Sequence, residues 1–325
     1  MVTNRPLSCL DRAMADYLTH YRALGRSYRQ AEYILRSLRR FLVVRGVADI
    51  DRMHFDQWRQ EFSHLHPNTR HLNERAIYNF CSYRRRSEPN CFLPNPTSLV
   101  RPIPQALPTP IEPQQIARML ELASALTPTR QSPLRPVVMR TAVILLYTSG
   151  LRIGELLRLR LDDVDLEAGV LRIRESKFHK SRWVPLSHSA KLELAKYYKA
   201  RQAHDASMEA SAPFLCNNWH GWRPYSSGGM QHALCALFEA AGIRDSRGRR
   251  PRVHHLRHAF AAEALRRWYV SGVDVQVNLP KLALYMGHVS IVSTAYYLRW
   301  MPVVLAHASK RFEDHCGALI GGRRS

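Results

Sequence analysis

Acidic residues are scarce in this sequence, and lysine is absent from its first 100 residues. The whole chain holds 26 Asp and Glu against 48 Lys and Arg, which gives a formal net charge of +22. In the first 100 residues, 16 arginines face 9 acidic residues. A protein that is basic in both halves suits a polyanionic partner, and nucleic acid is the leading candidate. The charge alone is equally compatible with a ribosomal protein or a chromatin-like DNA-binding protein.

Long apolar runs are also missing, which argues against a membrane protein. No uninterrupted apolar run is longer than the six residues from 142 to 147, whereas a helix needs about 20 apolar residues to cross a bilayer. The first residues, MVTNRPL, lack the charged start and the apolar stretch of a secretory signal. We therefore expect a cytoplasmic, nucleoid-associated protein with no membrane partner.

Motifs that bind metals or nucleotides are absent as well. The six cysteines include no Cys-x-x-Cys pair, so the sequence favours neither a disulfide framework nor a zinc knuckle. It contains neither a Walker glycine loop nor G-x-G-x-x-G. We expect no cofactor.

Proline marks the domain organisation. Eight of the 19 prolines fall between Pro89 and Pro113, a density that breaks helices and favours an extended segment. The sequence therefore predicts a helical domain over residues 1–88, a linker over 89–109 and a second domain with a C-terminal tail over 110–325.

The first domain reads as four helices. Ser27 followed by Gln30 is a capping-box signature for the second helix, and Gly46 ends its apolar pattern. The other helices are predicted over residues 9–23, over 55–62 and from Asn68 toward three consecutive arginines. Those arginines, Arg84, Arg85 and Arg86, are predicted to contact DNA phosphates, with a solvated helix end as the alternative.

The second domain reads as mostly helical with one hairpin. Helical patterns cover residues 113–123 and 136–147, and they resume after Leu151 and after Ser189. Residues 170–174 and 182–185 alternate apolar and charged side chains across a short polar stretch, which is typical of a hairpin. The predicted fold class is mainly α with a small antiparallel β-sheet.

Four short motifs follow one another in this second domain. They are TSGLRIGE (148–155), ESKFHKSRWVPL (175–186), HHLRH (254–258) and GHVSIVSTAYY (287–297). Each has an ordinary interpretation by itself, such as a surface arginine at Arg152 or solvated charge in the hairpin. The third motif places His254, Arg257 and His258 on one helical face.

Together and in this order, the motifs resemble the tyrosine recombinases of the phage integrase family. The resemblance covers residues 108–300 and, more loosely, the helical N-terminal domain, which resembles the family's core DNA-binding domain. It also implies that residues 110–325 form the catalytic domain, with Glu155 at the family's acidic position beside the first arginine. The implied catalytic residues are Arg152, Lys177, His254, Arg257, His288 and Tyr297.

The chemistry that the resemblance implies explains these residue types. Two guanidiniums, Arg152 and Arg257, offer fixed donors to the charge that grows on the non-bridging phosphate oxygens. A phenol has an ordinary pKa of about 10, so attack by Tyr297 needs a proton acceptor, and His254 is the candidate. Lys177 would protonate the departing 5′-oxygen, and His288 would steady the phosphate. Because one phosphodiester is exchanged for another, rejoining the DNA needs no energy from a nucleotide cofactor such as ATP.

Several alternatives stay open at the level of single residues. Lys180 is the alternative to Lys177 as the catalytic lysine, and if it is not catalytic it is predicted to contact DNA. Tyr296 is the alternative to Tyr297 as the nucleophile, although the spacing from Gly287 and His288 favours Tyr297. Histidines as zinc ligands are disfavoured, because no H-E-x-x-H motif accompanies them and the nearby arginines would repel a cation. The acidic run over residues 162–165 fits a polar turn better than a metal site.

The predicted function is site-specific recombination of double-stranded DNA by a homotetramer assembled on two sites. Residues 272–285 resemble those of transposon-borne recombinases, and the predicted role is to resolve or integrate a mobile element, with cointegrate resolution in a transposon as one form of it. An accessory DNA-binding protein is a further predicted partner. A type IB-like topoisomerase would instead relax supercoils without strand exchange, and a non-catalytic DNA-binding regulator would form no covalent complex.

Overall fold

The chain divides into two compact units, Met1–Ala106 and Leu107–Ser325. The computed structural model describes residues 9–104, 111–174, 181–245, 247–287 and Thr294. Both units are built mainly from helices, and the described part of the second also holds two small antiparallel sheets. This confirms the predicted fold class.

Four helices make up the described part of the first unit. They are α1 (Cys9–Ala23), α2 (Arg29–Val44), α3 (Arg52–Gln60) and α4 (Pro67–Arg84). Their apolar faces meet in one core, where Leu38, Phe55 and Phe80 are at most 2% exposed. Full burial of such a side chain is worth about 1.5–3 kcal/mol, so this core is what holds the four helices together.

The start of α2 differs from the prediction. Ser27 and Gln30 form no capping box, because the helix begins at Arg29 with Tyr28 as its N-cap in the left-handed region at φ 46°. The ring of Tyr28 stacks on that of Tyr21, with centroids 4.7 Å apart. Aromatic packing in the core, rather than a local side-chain cap, therefore sets where this helix begins.

The proline-rich segment is not a free tether over its described length. Leu99 is buried in the core of the first unit. The Val100 N–H donates to the Glu74 carboxylate at 2.8 Å, and Asn68 exchanges two hydrogen bonds with the backbone of Ile103 at 2.7 and 3.0 Å. Residues up to 103 are thus bound to α4, within the stretch predicted as a linker.

The second unit is arranged around one buried helix. Its described helices are α5 (Pro113–Ser124), α6 (Arg135–Thr148), α7 (Ile153–Leu156), α8 (His188–Ala203), α9 (Ser227–Ala240), α10 (His254–Val270) and α11 (Val275–Met286). Eight of the 14 residues of α6 are buried, because α5, α8, α9 and α10 all pack against it. The helix predicted after Leu151 is only the single turn of α7.

The predicted hairpin belongs to a three-stranded sheet of β1 (Val164–Asp165), β2 (Val170–Ile173) and β3 (Arg182–Pro185). Ile173 pairs with Arg182 and Leu171 with Val184. Since side chains alternate along a strand, Arg182 lies on the same inward face as the buried Val184. A second hairpin joins β4 (Cys216–Asn217) and β5 (Arg223–Pro224).

The acidic run leads into this sheet, with Asp162 and Asp163 in a single 3-10 turn and Asp165 at the end of β1. Asp163 is buried and accepts from Arg172 and Arg174 of β2 and its end. Among the described residues, no group of three His, Cys, Asp or Glu side chains is arranged to hold a metal ion. In the same part of the chain, none of the helices has the length and apolar character needed to cross a bilayer.

Candidate active site

A buried carboxylate organises the candidate site. Glu155, at the end of the TSGLRIGE motif, has a side chain only 1% exposed. Burial alone would raise the pKa of this carboxyl, but hydrogen bonds and charge from Arg182, with further hydrogen bonds from Arg152, hold it at about 2. Glu155 is therefore an anion at neutral pH, and arginines surround it. We call Glu155, Arg152, Arg182 and Arg257 the Glu155 cluster.

Arg152 reaches the cluster from the residue before α7. Its backbone N–H donates to Glu155 Oε2 at 3.0 Å, and its Nη1 donates to Oε1 at 2.8 Å. Its Nη2 donates to the Gly287 carbonyl at 3.0 Å. The side chain keeps 26% of its surface exposed, so the guanidinium is held at one edge and open to solvent at another.

Arg257 lies deeper in the same cluster. It projects from the first turn of α10, is 1% exposed, and has its Nη1 4.0 Å from Glu155 Oε2. Its Nη1 and Nη2 also donate to the carbonyls of Gly150 and Met286. The guanidinium therefore connects α10 with two stretches of chain that are far from it in sequence.

Arg182 is the member of the cluster that sequence analysis missed. From β3 it donates through Nη1 and Nη2 to the two oxygens of Glu155 at 3.1 and 2.9 Å, and through Nε to the Tyr285 carbonyl at 2.7 Å. The signal was present in the alternation of β3, because an arginine on an inward strand position needs buried hydrogen-bond acceptors.

Two glycines let the backbone approach the arginines. Gly287 ends α11 at φ +64°, and a Cβ there would lie 3.0 Å from Arg182 Nη1. Gly150 has φ +59°, and a Cβ there would lie 2.5 Å from Cδ1 of Phe260. Both positions need glycine because of the left-handed backbone and the close neighbours.

His254 stands at the surface one turn before Arg257. Partial desolvation, followed by the positive charge of Arg257 and Arg152, lowers the pKa of His254 to about 4. Its ring lies edge-on to that of His258, with centroids 4.6 Å apart. At neutral pH the imidazole is therefore uncharged and has a nitrogen able to accept a proton.

The remaining residues predicted for catalysis cannot be placed in the same way. Lys177, His288 and Tyr297 lie outside the described residues, as do Lys180 and Tyr296. The structure does describe β2 and β3 on either side of the hairpin tip, as well as Gly287, the residue before His288. The roles of these five residues stay predictions.

The three consecutive arginines at the end of α4 occupy different environments. Arg84 is 5% exposed and donates to the carboxylates of Asp49 and Glu88, so its charge is used within the first unit rather than offered to a phosphate. Arg85 and Arg86 are exposed. The predicted phosphate contacts stay a prediction, and of the three side chains Arg84 has the least exposed surface to offer to one.

Comparison with known proteins identifies the family. Residues 110–301 match the phage integrase family. The chain is 34% identical over 313 residues to the putative integrase/recombinase y4rB of Sinorhizobium fredii, covering 94% of this chain and 98% of that protein. It is 26% identical over 220 residues to the tyrosine recombinase XerA of Pyrococcus furiosus, covering 68% of this chain and 67% of that one.

The fold has relatives among solved structures. The integrase of the transposon Tn1549, solved in complex with transposon right end DNA, matches with a TM-score of 0.66 at 17% identity, covering 94% of this chain and 98% of that one. The chain described here therefore belongs to the phage integrase family of tyrosine-type site-specific recombinases. This confirms the family predicted from the four motifs.

Proposed function

We propose that this protein cuts and rejoins DNA through a 3′-phosphotyrosyl bond formed by Tyr297. The observation behind this is the Glu155 cluster, which gathers three guanidiniums around one carboxylate. The three positive charges outnumber the single negative charge of Glu155, so the cluster as a whole stays positive. A phosphodiester in transfer develops negative charge on its non-bridging oxygens, and preorganised cations are the means to stabilise it.

Arg152 and Arg257 would hold the phosphate. Arg152 has an exposed edge, and the guanidinium of Arg257 is held in a fixed plane by the Gly150 and Met286 carbonyls. Guanidinium donors in a fixed plane match phosphate oxygens in pairs. His288 would add a donor to the same phosphate, since it follows Gly287 in the chain.

Proton transfer would accompany both bond changes. The oxygen of Tyr297 forms its bond to phosphorus as the phenolic proton passes to His254, whose pKa of about 4 keeps it unprotonated before the reaction. The bond from phosphorus to the 5′-oxygen of DNA breaks, and Lys177 protonates that oxygen. Rejoining reverses these steps with the 5′-hydroxyl of another strand.

At the level of the whole protein, we propose that residues 1–88 bind core DNA and that residues 110–325 catalyse the reaction. Exposed Arg85 and Arg86 would contact phosphates. Four protomers would assemble on two sites within the nucleoid. The resemblance to y4rB and to a transposon integrase supports a role in moving or resolving a mobile element.

Covalent trapping tests this proposal. The probe is a set of nicked duplexes tiled across the DNA that flanks the coding sequence, so that the cut fragment diffuses away and leaves protein bound to DNA. The wild-type protein should form the adduct. Tyr297→Phe should form none while it still binds the same duplex, because only the nucleophilic oxygen is lost.

Tyr296→Phe is the matched control, since it removes the same atom one residue earlier. It should leave the adduct intact. Full adduct formation by Tyr297→Phe would overturn the assignment. Relaxation of supercoiled plasmid without strand exchange between two sites would identify a topoisomerase instead.

A further inference from the structure

Arg182 is held entirely within the protein. Each of its three nitrogens donates to a described acceptor, two of them to the separate oxygens of Glu155 and one to the Tyr285 carbonyl. Its side chain is 10% exposed. A paired geometry of this kind is the strongest that an arginine and a carboxylate form. Arg182 therefore has little left to offer to DNA.

Arg152 shares the same carboxylate in a looser way. Within the described residues, a single side-chain nitrogen of Arg152 donates to Glu155, while its Nη2 donates to the Gly287 carbonyl. Its side chain is more than twice as exposed as that of Arg182, at 26% against 10%. The two arginines therefore have different roles, since the guanidinium of Arg182 pairs with both oxygens of Glu155 and that of Arg152 keeps a surface turned outward.

We propose that Arg182 is a positioning residue, whose guanidinium pairs with both oxygens of Glu155 and thereby prevents the guanidinium of Arg152 from forming that paired contact. A buried carboxylate takes the nearest cation, and without Arg182 the nearest is Arg152, whose Nη1 already lies 2.8 Å away. Arg152 would then turn into a paired contact with Glu155 and withdraw from the phosphate. This inference rests on the proposed function, because it assigns the DNA phosphate as the ligand of Arg152.

A positioning role for Arg182 also explains why the cluster contains three arginines rather than two. Arg182 begins β3 beside the hairpin tip and bonds to Tyr285 near the end of α11. The same side chain therefore links the strand next to Lys177 with the segment that leads to His288. Its guanidinium sets the charge of Glu155 and also ties these two parts of the backbone together.

A pair of variants tests the inference in single-turnover cleavage of the nicked duplex. Arg182→Met keeps much of the volume but removes the cation, so cleavage should slow by about 100-fold, as for loss of one preorganised donor, with duplex binding unchanged. Adding Glu155→Gln removes the charge that captures Arg152. The double variant should therefore cleave at least about tenfold faster than Arg182→Met. A double variant no faster than Arg182→Met would overturn the inference.

Arg182→Lys provides a second test that retains the buried positive charge. It should cleave about tenfold more slowly than the wild type on the natural phosphate, because lysine replaces a paired contact with a single one. On a duplex with a methylphosphonate at the scissile position, which carries no charge for Arg152 to meet, the difference should largely disappear. An equal penalty on both substrates would point to a structural defect and overturn the inference.

Failure of this inference is distinguishable from failure of the proposed function. If cleavage by the wild type requires Tyr297 but both Arg182 tests give the contrary result, only the role of Arg182 is wrong. If the Tyr297→Phe variant cleaves DNA as fast as the wild type does, the proposed function itself fails.

Discussion

Gly287 brings the backbone close to two of the arginines, and its lack of a side chain is what permits this. Its carbonyl accepts from Arg152, and its Cα lies where a Cβ would come within 3.0 Å of Arg182 Nη1 and 3.6 Å of Arg152 Nη1. At φ +64° an L-residue is also strained. A substitution here therefore disturbs both the backbone and the charges of the Glu155 cluster.

We expect Gly287→Ala to slow DNA cleavage strongly and to lower the free energy of unfolding by about 1 kcal/mol. Gly242→Ala is the matched control, because Gly242 has φ +68° but nothing within 4 Å of a built Cβ. The control should lose similar stability and keep its cleavage rate. Equal cleavage by both variants would mean that contact with the arginines is unimportant.

His254 should make the rate of DNA cleavage depend on pH. The histidine must be neutral to accept the proton, and a group is neutral above its pKa, which is lowered here to about 4. At subsaturating DNA, where the rate reports the free protein, cleavage should stay level as pH falls from about 8 to about 5 and then decline. DNA binding measured over the same range is the control. A decline centred near the ordinary histidine pKa of about 6.5 would contradict the assignment.

At the scale of secondary structure, the proline-rich segment is part of the first unit up to residue 103. The Ile103 N–H donates to Asn68 Oδ1, and the Val100 N–H donates to Glu74. Proline density correctly indicates the absence of a helix here. It says nothing about whether an extended segment is packed against a neighbour, because that depends on residues of α4.

Amide hydrogen exchange tests this packing. Both Ile103 and Val100 should exchange more slowly than an open segment, since both amides are bonded to α4. Asn68→Ala should speed exchange at Ile103 several-fold and leave Val100 unchanged, which makes Val100 the internal control. Exchange of both amides at the rate of an unstructured peptide would show that the segment is detached.

Helix α1 is predictable from the sequence, and the start of α2 is not. The helix predicted over residues 9–23 matches α1, because an unbroken apolar period defines it. The start of α2 is missed, since the rings of Tyr21 and Tyr28 pack across a turn that a local capping rule ignores. Elements defined by their own pattern are predictable, and elements defined by a distant neighbour are not.

The same division applies to the site. Arg152 and Arg257 stand in motifs with a recognisable order, so the sequence predicted both. Arg182 is 27 residues from Glu155 and 103 from Tyr285, and its partners become visible only after folding. Carbonyl acceptors such as those of Gly150, Met286 and Gly287 have no side-chain signature at all.

For the whole molecule, charge and fold point in the same direction. A net charge of +22 spread over both units suits a protein that meets DNA along much of its length. Within the second unit, part of that charge is concentrated in the Glu155 cluster, where burial makes each ion pair depend on the others. The general charge would hold the duplex, and the cluster would select one phosphate.

The structure of the trapped covalent complex would show which side chains hold the DNA phosphate. We predict that the phosphorus bonded to the Tyr297 oxygen has non-bridging oxygens within hydrogen-bond distance of both Arg152 and Arg257, with Arg182 still paired to Glu155. A complex in which the DNA phosphate lies away from these two guanidiniums, or is bonded to another residue, would contradict the account.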